Sequence, residues 1–175
     1  MKKLTFPITT EEIKRLKVGD IVSLSGIIYT ARDAAHKYLF EKKPKEFVKR
    51  LKDTAIYHCG PILKIKGKKY SIIAAGPTTS IREEPYMWKI IKDYKIKAVI
   101  GKGGMGKKTQ KACKRYGCVY LSAVGGAAVV LAKAIKKIRN VYKLEFGIPE
   151  AIWELEVKDF PAIVTIDNKG RSLHK

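Results

Sequence analysis

The apolar positions of this chain change rhythm near its middle. Up to Lys66 they form short, strand-like clusters. Ile21–Tyr29 alternates poorly, predicting a largely buried strand, and Ala55–Tyr57 and Ile62–Lys66 predict shorter strands broken by Cys59-Gly60-Pro61. Thr9-Thr-Glu-Glu12 has the hydroxyl and carboxylate spacing of a capping box and predicts a short helix to about Lys17. Asp33–Glu41 predicts a helix, and Pro44 followed by Glu46–Leu51 predicts a second one. From Tyr70 the chain alternates strand, glycine-bearing loop and helix. Tyr70–Ala75, Lys97–Ile100 and Cys118–Ala123 are the predicted strands. Pro85–Tyr94, Lys107–Tyr116 and an alanine-rich Ala127–Ile138 are the predicted helices. Three such repeats predict βαβ units around a parallel sheet. Two further strands, Ala151–Val157 and Ala162–Ile166, are expected either side of Asp159-Phe-Pro161. The fold class is therefore α/β, with 175 residues fitting one domain over residues 1–175.

Composition narrows this picture. No apolar run reaches the ~18 residues of a membrane span, and Met1–Thr10 lacks the apolar stretch of a signal peptide. A soluble, intracellular protein is expected. The 37 Lys and Arg against 16 Asp and Glu leave a formal charge of +21. That excess suggests an anionic partner, with a nucleic-acid-binding module as the reading from a different class. Thirty of the cations are Lys and seven are Arg, whereas base readout and bidentate phosphate binding favour Arg. No arginine-dense recognition helix, aromatic RNA-binding strand or zinc spacing accompanies the charge. One Gln and two Asn beside so many lysines resemble a thermophile's composition. The three cysteines, Cys59, Cys113 and Cys118, form no C-x-x-C pair. A C-x4-C pair with one distant Cys has the count for an iron–sulfur cluster with one open iron, but Cys118 enters an apolar strand and is expected to be core.

Candidate chemistry lies in the loops. Ligands of open parallel sheets sit at the carboxyl ends of the strands. Gly76-Pro-Thr-Thr-Ser-Ile-Arg82, Gly101-Lys-Gly-Gly-Met-Gly106 and Ser122-Ala-Val-Gly-Gly126 are expected there, each opening a helix whose N-terminus favours negative charge. Arg82 and Lys102 are the cations of this predicted anion site. Tyr29-Thr-Ala-Arg-Asp-Ala-Ala-His36 brings Arg32 to a strand–helix junction, with Asp33 free to cap the helix or hold Arg32, and His36 one turn below in a packing role. Lys102-Gly-Gly-Met-Gly-Lys-Lys-Thr109 nearly spells a nucleotide-binding P-loop. Lys108 stands where that motif needs Ser or Thr, and Asp167 closes an apolar run in imitation of a magnesium-binding Asp.

Read together, Thr30-Ala-Arg-Asp-Ala-Ala-His36, Gly76-Pro-Thr-Thr-Ser-Ile-Arg82 and Gly101-Lys-Gly-Gly-Met-Gly106 resemble the β subunit of class I, iron–sulfur-dependent fumarate hydratase and its relative, L(+)-tartrate dehydratase. The likeness runs on through Glu150-Ala-Ile-Trp153, Asp159-Phe-Pro161 and Asp167-Asn-Lys-Gly170, covering nearly the whole chain. It implies a swivelling β/β/α domain, three layers with a central, mainly parallel sheet and a second sheet. It implies a cytoplasmic hydro-lyase subunit of the tricarboxylic acid cycle, inactive without an α partner in an α2β2 heterotetramer. The 4Fe-4S cluster would be bound by that partner, not by this chain. Neither nucleic acid nor membrane would be a partner, and a homodimer is conceivable for the isolated chain. Arg32, Thr78, Arg82 and Lys102 would bind the dicarboxylate. Thr78 and Lys102 would be the catalytic pair, with Thr79 or a residue of the partner as alternatives for moving the proton.

Overall fold

The computed structural model describes residues 1–67, 69–123 and 127–174. Five parallel strands lie side by side in the order β1 (Lys2–Phe6), β2 (Ile21–Thr30), β3 (Ala55–Tyr57), β6 (Ala98–Gly101) and β7 (Val119–Ala123). Beyond β7 the sheet continues antiparallel through β9 (Ile152–Ile166) and ends on β8 (Ile135–Tyr142). β9 also pairs antiparallel with β2, so the pairings run round through β2, β3, β6, β7 and β9 and back to β2. A separate antiparallel ribbon, β4 (Ile62–Lys66) with β5 (Lys69–Ala74), is the second sheet. This is the mixed α/β architecture with a mainly parallel central sheet that the sequence predicts.

Side-chain alternation in the central strands explains why both faces are apolar. Ala55 and Tyr57, Ala98 and Ile100, Val119 and Leu121 point into one core, shared with Val22, Leu24, Trp153, Leu155 and Phe160. Ile56, Val99 and Tyr120 point the other way, into a second core. The second core is closed by α2 (Asp33–Lys42), α3 (Lys45–Leu51), α4 (Glu84–Tyr94) and α5 (Lys107–Tyr116) through Leu39, Phe47, Ile90, Ile91 and Cys113. α1 (Thr10–Lys14) and α6 (Ala128–Ala134) cover the first core. The expected capping box is present at α1, with Thr9 Oγ1 accepting from Glu12 N.

Three expectations are corrected. Tyr70–Ala75 is not the first parallel strand. Gly67, at φ +58°, turns the chain back so that β5 pairs with β4, and β3 takes the place beside β6. The helix Ala127–Ile138 stops at Ala134. Ile135, Ile138 and Val141 recur every third residue, which reads as helical, but two irregularities in the β8–β9 register absorb the extra residues and keep all three against the core. Ala151–Val157 and Ala162–Ile166 are one strand. The bulge between them faces Ser25, with Asp159 at φ +55° and its N–H donating to Ser25 Oγ at 3.2 Å. The first strand, Lys2–Phe6, has no counterpart among the predicted elements.

Candidate active site

Parallel β2, β3 and β6 end on one edge, and the loop after β5 is wedged among their ends. Ala31 N donates to Tyr57 O (3.0 Å), and His58 N to Ile100 O (2.8 Å), which extends the strands past their nominal limits. Residues Pro77–Ser80 then enter between β3 and β6. Pro77 bridges Cys59, Thr78 N donates to His58 O (2.8 Å), Thr79 bridges Lys102, and Ser80 N donates to Lys102 O (3.0 Å). This ladder brings Arg32, Thr78, Arg82 and Lys102 to the same edge. Lys102 and Arg82 are exposed, and Arg32 and Thr78 are half-buried.

The wedge needs two glycines. A Cβ on Gly101 would lie 1.8 Å from Ser80 Oγ, and one on Gly60 would lie 2.7 Å from Arg32 Cδ. The Arg32 side chain therefore lies over Gly60.

Carboxylates hold the arginines. Arg82 Nη2 donates to Asp33 Oδ2 at 2.5 Å, so Asp33 partners Arg82 and not Arg32. Arg32 Nε lies 3.4 Å from Glu150 Oε1, while Glu150 Oε2 accepts from Ala34 N (2.9 Å) and serves the first turn of α2. The sequence reading did not single out Glu150 for this role, because it is distant in sequence and acts only through the fold.

Beneath the loop lie two buried polar chains. Tyr120 OH donates to Ser80 Oγ (2.9 Å), and Ser80 Oγ is 2.8 Å from His58 Nδ1. With Ser80 receiving the tyrosine proton, its own hydroxyl donates to His58, whose Nε2–H faces Met87 Sδ at 3.3 Å. Burial drives the His58 pKa well below the ordinary imidazole value, with the neighbouring His36 adding to the shift. In the second chain, His36 Nδ1 donates to Arg32 O at 2.8 Å, and Glu83 Oε2 lies 3.3 Å from the same nitrogen. Burial lowers the His36 pKa to about 4. Burial, with Asp33 next to it, raises Glu83 to about 8. The packing role expected of His36 fits its complete burial.

The predicted anion site at helix N-termini is corrected at α5. Glu84 already fills that position: its carboxylate accepts from Gly106 N (2.8 Å), Lys108 N (2.9 Å), Thr109 N (3.2 Å) and Thr109 Oγ1 (2.6 Å). The same contacts close the P-loop look-alike to a phosphate. Asp167 is likewise engaged, by Arg171 Nε at 2.7 Å and by Lys169 N at 2.9 Å. Of the third loop, residues 124–126 lie outside the described residues, and α6 behind it has only seven residues.

The three cysteines do not converge. Cys59 is in the first core, and Cys113 and Cys118 are in the second, across the sheet. Among the described residues, no group of three or more His, Cys, Asp or Glu is arranged to hold a metal ion. The residues of this chain do not fit a three-thiolate cluster site. No described helix is long and apolar enough to cross a membrane.

Residues 2–175 match the family model described as fumarase C-terminus. The chain belongs to the fumarase C-terminus family. A Geobacillus stearothermophilus protein, provisionally named a class I fumarate hydratase, is 55% identical over 98% of this chain. The chain spans only 33% of that relative's length. A Methanocaldococcus jannaschii protein, provisionally named an L(+)-tartrate dehydratase β subunit, is 46% identical, covering 96% of this chain and 88% of the relative. The Escherichia coli K12 L(+)-tartrate dehydratase β subunit is 39% identical, covering 99% and 87%. The fumarase C-terminus family thus includes both hydratase and dehydratase members, and the family alone does not choose the substrate.

Proposed function

We propose that this chain is the β subunit of a two-chain class I fumarate hydratase, acting in the cytoplasm on the reversible hydration of fumarate to (S)-malate. The observation that carries the reading is the meeting of Arg32, Thr78, Arg82 and Lys102 at one edge of the parallel strands. The similarity to proteins named as β subunits supports a second, α chain.

A dicarboxylate needs fixed cations and N–H donors. Arg82 has its guanidinium more than half exposed and anchored from behind by Asp33, so its remaining N–H groups are free to meet a carboxylate. Arg32, steadied by Glu150 and packed over Gly60, meets the same ligand from the β2 end. Lys102 adds a point charge beside them. Removing a proton next to a carboxylate builds negative charge on that carboxylate, and these cations lower its energy. Thr78 is the group that moves the proton, its backbone fixed by His58 O. Thr79, on the next residue, is the alternative. An iron–sulfur cluster held by the α partner would supply Lewis-acid activation of the substrate hydroxyl.

Arg82→Ala or Lys102→Ala in the assembled enzyme is expected to lower kcat/KM by about 100-fold or more, with assembly retained by size-exclusion chromatography. Near-normal turnover in both variants would remove the site assignment. A second reading, the L(+)-tartrate dehydratase β subunit, is favoured by the near-full-length match to the two relatives so named. Assay of the reconstituted pair on fumarate, malate and tartrate under anaerobic conditions decides between them.

A further inference from the structure

Glu83 and His36 are buried polar residues that the proposed chemistry leaves unused. Glu83 is 2% exposed and His36 is fully buried. Among the described residues, Glu83 Oε2 and His36 Nε2 have no hydrogen-bond partner, which is rare for buried polar atoms and calls for a reason. Their neighbours supply one. On one side Glu83 meets Asp33, the carboxylate that anchors Arg82. On the other it meets His36, whose Nδ1–H is fixed on the carbonyl of Arg32. The pair therefore lies between the anchoring points of both candidate carboxylate-binding arginines.

We propose that Glu83 and His36 are positioning residues for Arg82 and Arg32, with a protonated Glu83 donating to Asp33 so that Asp33 seats Arg82, and His36 pinning the backbone of Arg32. The proposal rests on the reading of these arginines as dicarboxylate ligands. The protonation state follows from the surroundings. Glu83 faces Asp33 and His36 from α2, Glu150 from the segment before β9, and Arg82 from its own turn. His58, at the end of β3, stacks edge-on against His36 at 4.8 Å. Two of these neighbours are carboxylates, one is a cation half in solvent, and burial keeps both imidazoles neutral at and above neutral pH. A carboxylate in the place of Glu83 would face Asp33 with like charge. Its own pKa, raised to about 8, keeps the proton on below that pH and removes it above. The arrangement is thus intact at neutral pH and is lost as the pH rises.

Two measurements test this. In the chain alone, carboxyl 13C NMR should show Glu83 titrating near pH 8, with the 15Nε signal of Arg82 following the same midpoint. Glu83→Gln, which keeps a donor for Asp33, should abolish that step at Arg82. Glu83 titrating in the ordinary carboxylate range, or an Arg82 signal indifferent to it, overturns the proposal without any reference to activity. In the assembled enzyme, KM for the dicarboxylate should rise about tenfold between pH 7 and 9 while kcat changes less than about threefold. Glu83→Gln should flatten that rise, and Glu83→Ala should raise KM at pH 7 by a similar factor. Wild-type KM in Glu83→Ala, beside a crippled Arg82→Ala, sinks the positioning role alone. Full activity in Arg82→Ala sinks the dicarboxylate reading itself.

Discussion

Gly101 has no room for a side chain because the candidate loop was built against it. A Cβ there would meet Ser80 Oγ at 1.8 Å and crowd Tyr120 OH and His58 Nδ1 at 3.1 and 3.2 Å. Gly101→Ala must therefore push Ser80 away and break the Tyr120–Ser80–His58 chain. The expected cost is about 1–3 kcal/mol in urea denaturation, the range for overpacking a dense site. Activity in the assembled enzyme should fall further than the stability loss alone explains, because Thr78 and Arg82 flank Ser80. An unchanged denaturation midpoint would show that the loop yields freely. At this scale the exposed part of the site was legible in the sequence. Arg32, Thr78, Arg82 and Lys102 each stand in a short motif of glycine, proline and hydroxyl residues whose local conformation places them. Glu83, Glu84, His58 and Glu150 were not legible. Glu83 and Glu84 are adjacent carboxylates with opposite fates, one buried against Asp33 and one bonded to the backbone of another helix. Only tertiary contact separates those fates.

Helix α5 carries Lys107, Lys108, Lys111, Lys114 and Arg115 and no acid of its own in its first turn. Five cations on ten residues repel one another, and the positive end of the helix dipole adds to the strain. Glu84, from the start of α4, supplies the missing carboxylate through three backbone N–H groups and Thr109. Glu84→Ala should destabilise the chain by about 1–2 kcal/mol, as lost N-terminal caps do, with Glu84→Gln recovering part of it. A denaturation midpoint unmoved by the alanine would mean that water replaces the carboxylate at no cost. The same contact explains why a glycine loop resembling a phosphate cradle is no cradle: its donors are already used. Elements with a single strong period were readable, as α4 and α5 show. Elements that borrow another's period were not. The β8 apolar residues recur every third position, and that spacing becomes a strand only when β9 supplies a partner with which bulges can form. β1 (KKLTF) buries only Leu4 and Phe6, too few apolar positions to announce a strand, and is fixed by its pairing with Val22–Gly26.

The whole molecule carries +21, and three candidate site cations account for little of it. Most acids are already engaged. Asp20 holds Lys2, Asp33 holds Arg82, Glu150 meets Arg32, Asp167 holds Arg171, and Asp93 lies between Lys43 and Lys89. The surplus is exposed lysine, part of it along α5 and in the groove between α4 and α5 lined by Trp88, Lys92, Lys108, Lys111, Arg115 and Tyr116. Such a field raises the local concentration of a small dianion and speeds its capture, an effect that salt screens over about 10 Å at 0.1 M. If that is its use, kcat/KM of the assembled enzyme should fall by about tenfold between low salt and about 0.3 M salt, with kcat nearly constant, since steering acts on encounter and not on the bound complex. Replacing Lys107, Lys108, Lys111 and Lys114 by Gln should flatten that salt dependence and leave kcat in place. A kcat/KM indifferent to salt would assign the charge elsewhere. A salt-dependent association of the two subunits would then point to an acidic face on the partner, and salt-dependent binding of DNA or RNA would restore the nucleic-acid reading. The three measurements differ in which species the salt acts on, so each outcome assigns the excess charge to a different partner.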